Sequence, residues 1–479
     1  MSNVLDLYDQ THITFERAAE VTCALQCVWV YNRAIDIDGL RQFHRHLQQG
    51  RLSRRVERSP LPFGRHRWVA ATVQSDLEIV ETPCAREDFD AWLGEQANTL
   101  LDAEHGPGWH LAVVPFTDGG AGVSLVISHC LTDGVGLCEA LTDAASGRVD
   151  PINWPAAGSR RRWQALREDA RQTAGDIPDI GRAVVAAARF ARAQRGGAEP
   201  DSAPPALSAG ADEPVTLSTA TIFLDADEWD ARAHSLGGTS NTLLAGVAAR
   251  LAQRAGRLTA DGSATPSIPV NERTVGDTRA NAITNVDITV DPGLAATDLR
   301  EIRAATKQAL IRHREVPDAR WPLLPLVPLL PQRLIRRLVG VATGGTTNVV
   351  SSNLGAPAPA VNRPDDTDAD HFAMKSLYPG VTKAIMHRIG GVLALLSGRV
   401  NGQVFVSVLA YQPDRPNSND VLRQDLSSAL SDFSLTASTG WPRITTTTDW
   451  ADDIAEQTNS SDLYDLTALA SDKKRTLGK

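Results

Sequence analysis

Apolar residues in the first third of the chain predict three β-strands. Gln26 to Tyr31 forms the first apolar run, and Trp109 to Phe116 and Gly122 to Ser128 form the next two. The segment that joins the latter two runs, residues 117–121, has the polar and glycine residues of a tight turn. We therefore expect a β-hairpin whose second strand ends at Ser128.

Helical spacing of apolar residues separates these strands. Asp38 to Leu47 places apolar residues three and four apart, with an aspartate near its start, where the helix dipole favours negative charge. Glu87 to Leu101 has the same period, and Val135 to Leu141 follows the predicted hairpin as a third helix. This alternation of strands and helices indicates an α/β or α+β fold.

The second half of the chain repeats this mixture. The residues Thr239-Ser240-Asn241 are of the type that caps helix N-termini, so a helix is predicted from about Asn241 to Arg254. The other apolar runs are predicted to be strands: Val215 to Leu224, Ser267 to Arg273, Asn348 to Pro357, which enters a turn, and a hairpin from Gly391 to Leu409 around Asn401-Gly402.

Proline and glycine divide the chain into two parts. Residues 197–214 contain four prolines among small and acidic residues, which is typical of a linker. At 479 residues the chain is too long for one ordinary core, so we predict an N-terminal lobe at 1–196 and a second lobe at 215–438. Residues 439–479 are rich in Thr, Asp and Ser, and we expect a polar tail that is partly disordered.

Composition narrows the class of protein. Hydrophobic residues make up 42% of the chain and charged residues 22%, which are values of a globular protein. The net charge of −9 argues against a nucleic-acid-binding protein. The five cysteines show no paired metal-ligand spacing and the N-terminus has no secretory pattern, so we expect a reduced, cytoplasmic protein.

His129 is the strongest candidate for chemistry. It follows a predicted buried strand and precedes a predicted helix, so the backbone would hold it firmly while its ring faces open space. An imidazole titrates near ~6.5 and can accept a proton at neutral pH, whereas the alternative is a histidine that only packs in the core. The side chain of Cys130 should point to the opposite side of the backbone, so the sequence predicts neither a metal site nor a cysteine nucleophile here.

The residues from His129 to Gly134 match the pattern HxxxDG and resemble the signature of the coenzyme A-dependent acyltransferase superfamily. This superfamily includes chloramphenicol acetyltransferase, nonribosomal peptide condensation domains, polyketide-associated acyltransferases and bacterial wax ester synthase/diacylglycerol acyltransferases. Ser128 stands where the last group has a first histidine. Three further segments resemble blocks of that group in the same order: Thr239 to Ala245, Pro269 to Arg273 followed by Asn281, and Val350 to Pro357.

The resemblance implies two chloramphenicol acetyltransferase-like lobes, each a mixed β-sheet flanked by helices, with a central tunnel between them. In such a protein His129 would be the general base. Asp133 would hold the loop through Arg273, and Gly134 would let the backbone approach the reacting centre. Candidate contacts to the oxyanion or the substrate are Ser128, Ser351 and Asn353.

The resemblance also implies an activity. We expect an acyltransferase that moves an acyl group from acyl-CoA, a co-substrate, to the hydroxyl of a lipophilic acceptor, with no permanently bound cofactor. Two alternatives stay open: transfer from an acyl carrier protein, and a catalytically silent relative that only binds a lipid or a partner. Contact with a membrane surface or a lipid droplet would suit such substrates.

Two segments bear on these partners. Residues 158–196 show helical spacing and hold nine arginines against four acidic residues, which indicates either a solvated helix face or a landing surface for coenzyme A phosphates, a carrier protein or an anionic membrane. Trp321 to Pro331 has four prolines, which exclude an ordinary membrane helix. We expect this segment in the core of the second lobe, in the wall of an apolar pocket or on a lipid surface.

Overall fold

The computed structural model describes residues 3–73, 75–148, 152–195, 213–274, 276–316, 321–331, 333–335, 347–413 and 415–443. Most of the predicted linker and of the predicted polar tail lies outside these ranges, so the domain boundaries stay predictions.

The described helices are α1 (Leu7–Ala19), α2 (Ile37–Leu47), α3 (Phe89–Ala97), α4 (Gly134–Ala145), α5 (Arg162–Arg195), α6 (Ala226–Ser235), α7 (Ser240–Arg254), α8 (Pro292–Ala295), α9 (Arg300–Glu315), α10 (Lys383–Ile389) and α11 (Asn419–Ser431). The described strands are β1 (Ala24–Tyr31), β2 (Arg54–Glu57), β3 (Arg67–Ala70), β4 (Leu77–Ile79), β5 (Trp109–Pro115), β6 (Ala121–Ser128), β7 (Ser218–Asp225), β8 (Thr265–Asn271), β9 (Ile283–Asp287), β10 (Asn348–Asn353), β11 (His371–Leu377), β12 (Val392–Val400), β13 (Gln403–Tyr411) and β14 (Ser438–Thr439).

The first sheet has five strands in the order β11-β1-β6-β5-β4. Its neighbours are antiparallel except for β4 and β5, which are parallel. Every residue of β1 and β6 is buried, so these two strands form the centre of the N-terminal core. The predicted hairpin is confirmed as β5 and β6, and Gly119 in its turn has a φ of 86°, which glycine adopts without strain.

Strand β11 connects the two halves of the chain. It comes from the second half of the sequence and pairs with β1 at the edge of the first sheet. Two buried hydrogen bonds lie close to this pairing. Trp29 Nε1 donates to the carbonyl of Val361 at 2.9 Å, and the Tyr31 hydroxyl donates to Asp365 Oδ1 at 3.0 Å. The second half of the chain therefore completes the first sheet.

The second sheet has seven strands in the order β14-β7-β13-β12-β10-β8-β9. Strand β10 is parallel to both β8 and β12, and the other pairs are antiparallel. Helix α7 packs against this sheet and begins at the predicted cap, where Thr239 and Thr242 exchange side-chain and backbone hydrogen bonds. The prediction of two mixed sheets flanked by helices is confirmed.

One predicted helix is shorter than expected. Helix α3 ends at Ala97 rather than at Leu101. The side chain of Asn98 donates to the carbonyl of Gly94, and Asp102 accepts hydrogen bonds from two following backbone N–H groups in a turn. These short polar side chains satisfy the backbone locally and end the helix.

The apolar segment Trp321–Leu329 forms 3₁₀ turns that pack against α5 and α1. Val327 is buried, whereas Leu329 is exposed. The predicted position in the core of the second lobe is therefore wrong, because a proline-rich segment lacks the N–H groups needed to join a regular buried layer. The other two interpretations of this segment, the wall of an apolar pocket and a lipid surface, stay predictions.

The bond between Tyr31 and Asp365 tests the connection between the halves. Tyr31→Phe removes only the hydroxyl that this buried carboxylate accepts, so the free energy of unfolding should fall by about 1–2 kcal/mol. Urea unfolding monitored by circular dichroism measures the change. Tyr378→Phe is the matched control, because the Tyr378 hydroxyl has no hydrogen bond to other described residues. Equal stability of Tyr31→Phe and wild type would contradict the prediction.

Candidate active site

His129 lies in the loop between β6 and α4, where the sequence predicted it. Its backbone N–H donates to the carbonyl of Cys23 at 2.9 Å, and Asn281 Nδ2 donates to the His129 carbonyl at 3.1 Å. The first bond comes from the residue before β1, and the second comes from the second half of the chain. Both backbone polar groups of His129 are thus hydrogen-bonded, so its ring can change position only by rotation about the side-chain bonds.

Asp133 anchors this loop through a fully bonded carboxylate. Oδ1 caps α4 by accepting from the N–H of Gly136 at 2.6 Å. Oδ2 accepts from Arg273 Nη2 and from the N–H of Ala282, both at 2.8 Å. The side chains of Asp133 and Arg273 are only 1% and 2% exposed, so the structure brings this sequence-predicted pair together in the interior.

The glycines of the loop make room for side chains of the second half. A Cβ atom on Gly136 would lie 2.8 Å from Arg273 Nη2, which is too close for any larger residue. A Cβ atom on Gly134 would lie 2.8 Å from Leu354 Cδ2. We predicted that Gly134 lets the backbone approach the reacting centre. That role stays a prediction, and in the structure the missing side chain of Gly134 leaves room for Leu354.

Segment 280–282 is held by a second buried carboxylate that the sequence did not reveal. Asp9 on α1 accepts from the backbone N–H groups of Ala280 and Asn281, both at 2.9 Å. Burial raises the pKa of Asp9, although these backbone bonds and the charge of Arg54 partly offset the effect. Arg54 in turn donates to the carbonyl of Leu131 at 2.7 Å. Helix α1 and β2 therefore help to fix the loop that carries His129.

Helix α1 also brings a second histidine to the site. The ring of His12 stacks on the ring of His129, with centroids 5.4 Å apart and planes 24° apart. His12 Nε2 lies 3.2 Å from Glu16 Oε1, one helical turn along α1. Glu16 Oε2 accepts from Cys130 Sγ at 3.0 Å, and Glu16 Oε1 accepts from the N–H of Cys23 at 2.9 Å. The spacing of His12 and Glu16 signals a helical pair, but no local pattern shows that it meets His129.

The protonation states follow from these contacts. Burial lowers the pKa of His129, and the neighbouring His12 lowers it further, against the opposing effects of Asp133 and Glu16. Burial also opposes the charged form of His12, but the hydrogen bond and charge of Glu16 outweigh it and raise the pKa of His12. Burial and Glu16 hold the pKa of the Cys130 thiol well above its usual value. Cys130 is therefore a neutral hydrogen-bond donor, which makes it unsuited to act as a nucleophile.

His12, Glu16 and Cys130 are also residue types that bind metal ions, and their donor atoms lie within 4.8 Å of one another. The sequence predicted no metal site from the expected direction of the Cys130 side chain, and it could not show this grouping, which depends on the packing of α1 against the loop. The carboxylate of Glu16 already accepts hydrogen bonds from both partners. Since the three groups satisfy one another, we assign no metal to them.

Ser128, Ser351 and Asn353 differ in how they relate to the loop. Ser128 is buried, and its hydroxyl accepts from the N–H of Cys130 at 3.3 Å. Ser351 is buried on β10. The amide of Asn353 donates to Asn241 Oδ1 at 2.6 Å and accepts from the N–H of the residue two positions on. Among the contacts of the described residues, neither Ser351 nor Asn353 is joined to His129, so their predicted roles stay predictions.

Two cavities flank the loop. One, of about 350 Å³, is lined by Ser128 and Cys130 together with Glu16 and other residues of α1. The other, of about 460 Å³, is lined by Val135, Leu354 and neighbouring residues on the α4 side. Ser128 and Cys130, the two neighbours of His129 in the chain, line the first cavity, whereas the second cavity lies beside the start of α4. A continuous tunnel that joins them stays a prediction.

The ion pair of Asp133 and Arg273 gives a direct test of this geometry. Arg273→Met leaves a buried carboxylate without its cation, so the free energy of unfolding should fall by about 3–5 kcal/mol. Arg279→Met is the matched control, because Arg279 pairs with Asp277 at a more exposed position and should lose at most about 1 kcal/mol. Urea unfolding measures the loss of free energy of unfolding in each variant. Equal losses in the two variants would contradict the prediction.

Comparisons with known proteins agree with this geometry. Residues 37–244 match the family model of the wax ester synthase/diacylglycerol acyltransferase catalytic domain. A search of curated proteins finds no match. The matched range contains the hairpin, His129, Asp133 and the cap of α7, so it covers the loop described above.

Solved structures share the fold at low sequence identity. The wax ester synthase/diacylglycerol acyltransferase from Marinobacter aquaeolei VT8 is 16% identical, with 90% of this chain and 98% of that chain covered and a TM-score of 0.53. The condensation domain of the Monacolin K polyketide synthase MokA is 12% identical, with 91% and 97% covered and a TM-score of 0.52.

The nonribosomal peptide synthetase FmoA3 is 18% identical, with a TM-score of 0.52. Its match covers 90% of this chain, which spans only 42% of the FmoA3 chain. Residues 37–244 are thus similar to the wax ester synthase/diacylglycerol acyltransferase catalytic domain, and the chain shares its two-sheet fold with acyltransferase and condensation-domain structures.

Proposed function

We propose that this protein is an acyltransferase that moves an acyl group from acyl-CoA to the hydroxyl of a lipophilic alcohol, with His129 as the general base. The observation that carries the proposal is the position of His129. It stands on a loop fixed by both halves of the chain, its neighbours Ser128 and Cys130 line one cavity, and Val135 at the start of α4 lines another. A base that must meet two substrates needs a rigidly held position.

The chemistry requires one proton acceptor and no covalent intermediate on the protein. His129 takes the proton of the acceptor hydroxyl while the hydroxyl oxygen attacks the thioester carbonyl. The carbon–sulfur bond then breaks, and the leaving thiolate takes the proton from His129. The lowered pKa of His129 supports this role, because burial and His12 keep the imidazole neutral, and thus able to accept a proton, at neutral pH.

The charges around the two cavities suggest which substrate uses which side. The 350 Å³ cavity is lined by four carboxylates against two guanidinium groups, and this balance would repel the phosphates of coenzyme A. The 460 Å³ cavity has Arg51 and Arg148 matched by two carboxylates. We therefore assign the donor to the larger cavity and the alcohol to the smaller one.

The decisive variant is His129→Ala. Loss of general-base catalysis should lower the rate of thiol release from acyl-CoA by about 10²–10⁴-fold in the presence of a reactive alcohol. A panel of alcohols and acyl chain lengths, assayed with a thiol reagent, identifies the substrates. His234→Ala is the control, because His234 is exposed on α6 and its side chain bonds to the carbonyl of Asp230 in the same helix.

Equal rates for His129→Ala and wild type would end the assignment of His129. Turnover of an acyl-loaded carrier protein without turnover of acyl-CoA would replace the donor and keep the base. Bound lipid without turnover of either donor would indicate a silent relative and contradict the proposed activity.

We further propose that the protein docks on the surface of an anionic membrane through α5. No helix within the described ranges is long and apolar enough to cross a bilayer. The helix runs without a break through Pro178 and exposes Ile177, Val184 and Val185, which lie on one face at helical spacing. Six arginines of the helix are also exposed: Arg162, Arg167, Arg171, Arg182, Arg189 and Arg192. An apolar face with flanking cations suits an interface that bears anionic lipid.

Vesicle flotation tests this docking. The wild-type protein should float with vesicles that contain about one third anionic lipid and remain unbound with zwitterionic vesicles. Replacing Val184 and Val185 with serine should reduce the bound fraction severalfold, because it removes the apolar anchor. Val421→Ser on α11 is the control, since Val421 is equally exposed elsewhere. Equal binding to both kinds of vesicle, or no effect of the α5 variant, would contradict the proposal.

A further inference from the structure

The stacked ring of His12 is the feature of the site that the proposed chemistry has not yet used. It comes from α1, more than one hundred residues before His129, and meets it face to face. The side chains of His12 and Glu16 are 23% and 15% exposed, so water screens their interaction only in part. Two imidazoles in such contact influence each other through charge as well as packing.

The charge of this pair is fixed by hydrogen bonds. The carboxylate of Glu16 accepts from His12, from the Cys130 thiol and from the N–H of Cys23. Three donors favour the ionised carboxylate, and the ionised carboxylate favours the imidazolium form of His12. In agreement, the pKa of Glu16 is lowered despite its burial, and the pKa of His12 is raised.

We propose that His12 and Glu16 form a positioning pair that keeps His129 unprotonated before the reaction and speeds the return of its proton to the leaving thiolate. This inference rests on the proposed function. The stacked imidazolium of His12 repels a proton on His129, which protects the base form. After His129 has taken the hydroxyl proton, the same repulsion favours transfer of that proton to sulfur. His12 keeps its own proton throughout, so it is not a catalytic residue.

Other charged and titratable groups act on His129 directly or surround Glu16 beside it. Asp133 and Glu16 act against His12, since a negative charge favours protonation of His129. The thiols of Cys23 and Cys130 and the phenol of Tyr378 all have raised pKa values, so they are neutral at the pH of the reaction. The opposing carboxylates explain why two adjacent imidazoles can share the site.

The sign of the pH dependence follows. Activity needs neutral His129, so it is lost as the pH falls through the lowered pKa of that group. Removing the positive charge of His12 raises the pKa of His129. The acid limb of the plot of kcat/KM against pH then moves to higher pH. A positive residue at the same position keeps the limb at low pH, whatever happens to the stacking.

The test compares His12→Gln with His12→Lys. The acid limb of kcat/KM should move to higher pH in His12→Gln, with a relative loss of roughly threefold or more at pH ~5.5. It should stay near its wild-type position in His12→Lys. His234→Gln on α6 should leave the profile unchanged. All assays contain a chelator, so that adventitious metal at His12, Glu16 and Cys130 plays no part. An unchanged limb in His12→Gln would overturn the inference.

A second measurement does not need activity. In protein labelled at histidine, the His129 resonance is assigned by its absence in His129→Ala and then titrated by NMR. Its midpoint should rise in His12→Gln and not in His12→Lys. A shift without any turnover would sustain the pairing while the proposed function fails. Full activity with no shift would remove the pairing and leave the function intact.

Discussion

The carboxylate of Asp133 is the group on which the site depends. It caps α4, binds Arg273 and accepts the N–H of Ala282, so one buried charge joins the loop to the second half of the chain. A buried carboxylate is costly unless every lone pair has a partner, and this requirement fixes the geometry of the loop. Gly136 makes this bonding possible, because its lack of a side chain leaves space for the guanidinium of Arg273. The position of His129 is a consequence of this arrangement.

Helix α1 supplies a second layer of support and the electrostatic setting. Asp9 holds the backbone of 280–282, whose Asn281 bonds the carbonyl of His129. One turn further on, His12 stacks on the His129 ring, and one turn after that, Glu16 bonds His12. Successive turns of one helix thus fix the backbone of the base and set its charge. Ser128, by contrast, bonds only within the loop, so the second imidazole at this site comes from elsewhere in the chain.

Local patterns in the sequence predicted the local structure well. Turn residues predicted the hairpin of β5 and β6, and Thr239 predicted the start of α7, because neighbours in the sequence determine both. The HxxxDG resemblance supplied Arg273 as the partner of Asp133. The sequence could not reveal the contact of His12 with His129 or the pairing of β11 with β1, since both depend on tertiary packing. It also could not show that the amide of Asn353 is engaged by Asn241.

The pairing of β11 with β1 has a consequence for synthesis of the protein. On a ribosome, β1 emerges early and finds β6 about one hundred residues later, but its other edge stays open until residues 371–377 appear. An open apolar edge invites pairing with other nascent chains. The first sheet of the protein therefore becomes complete only after residues 371–377 have been made, and until then the edge of β1 needs protection from other chains.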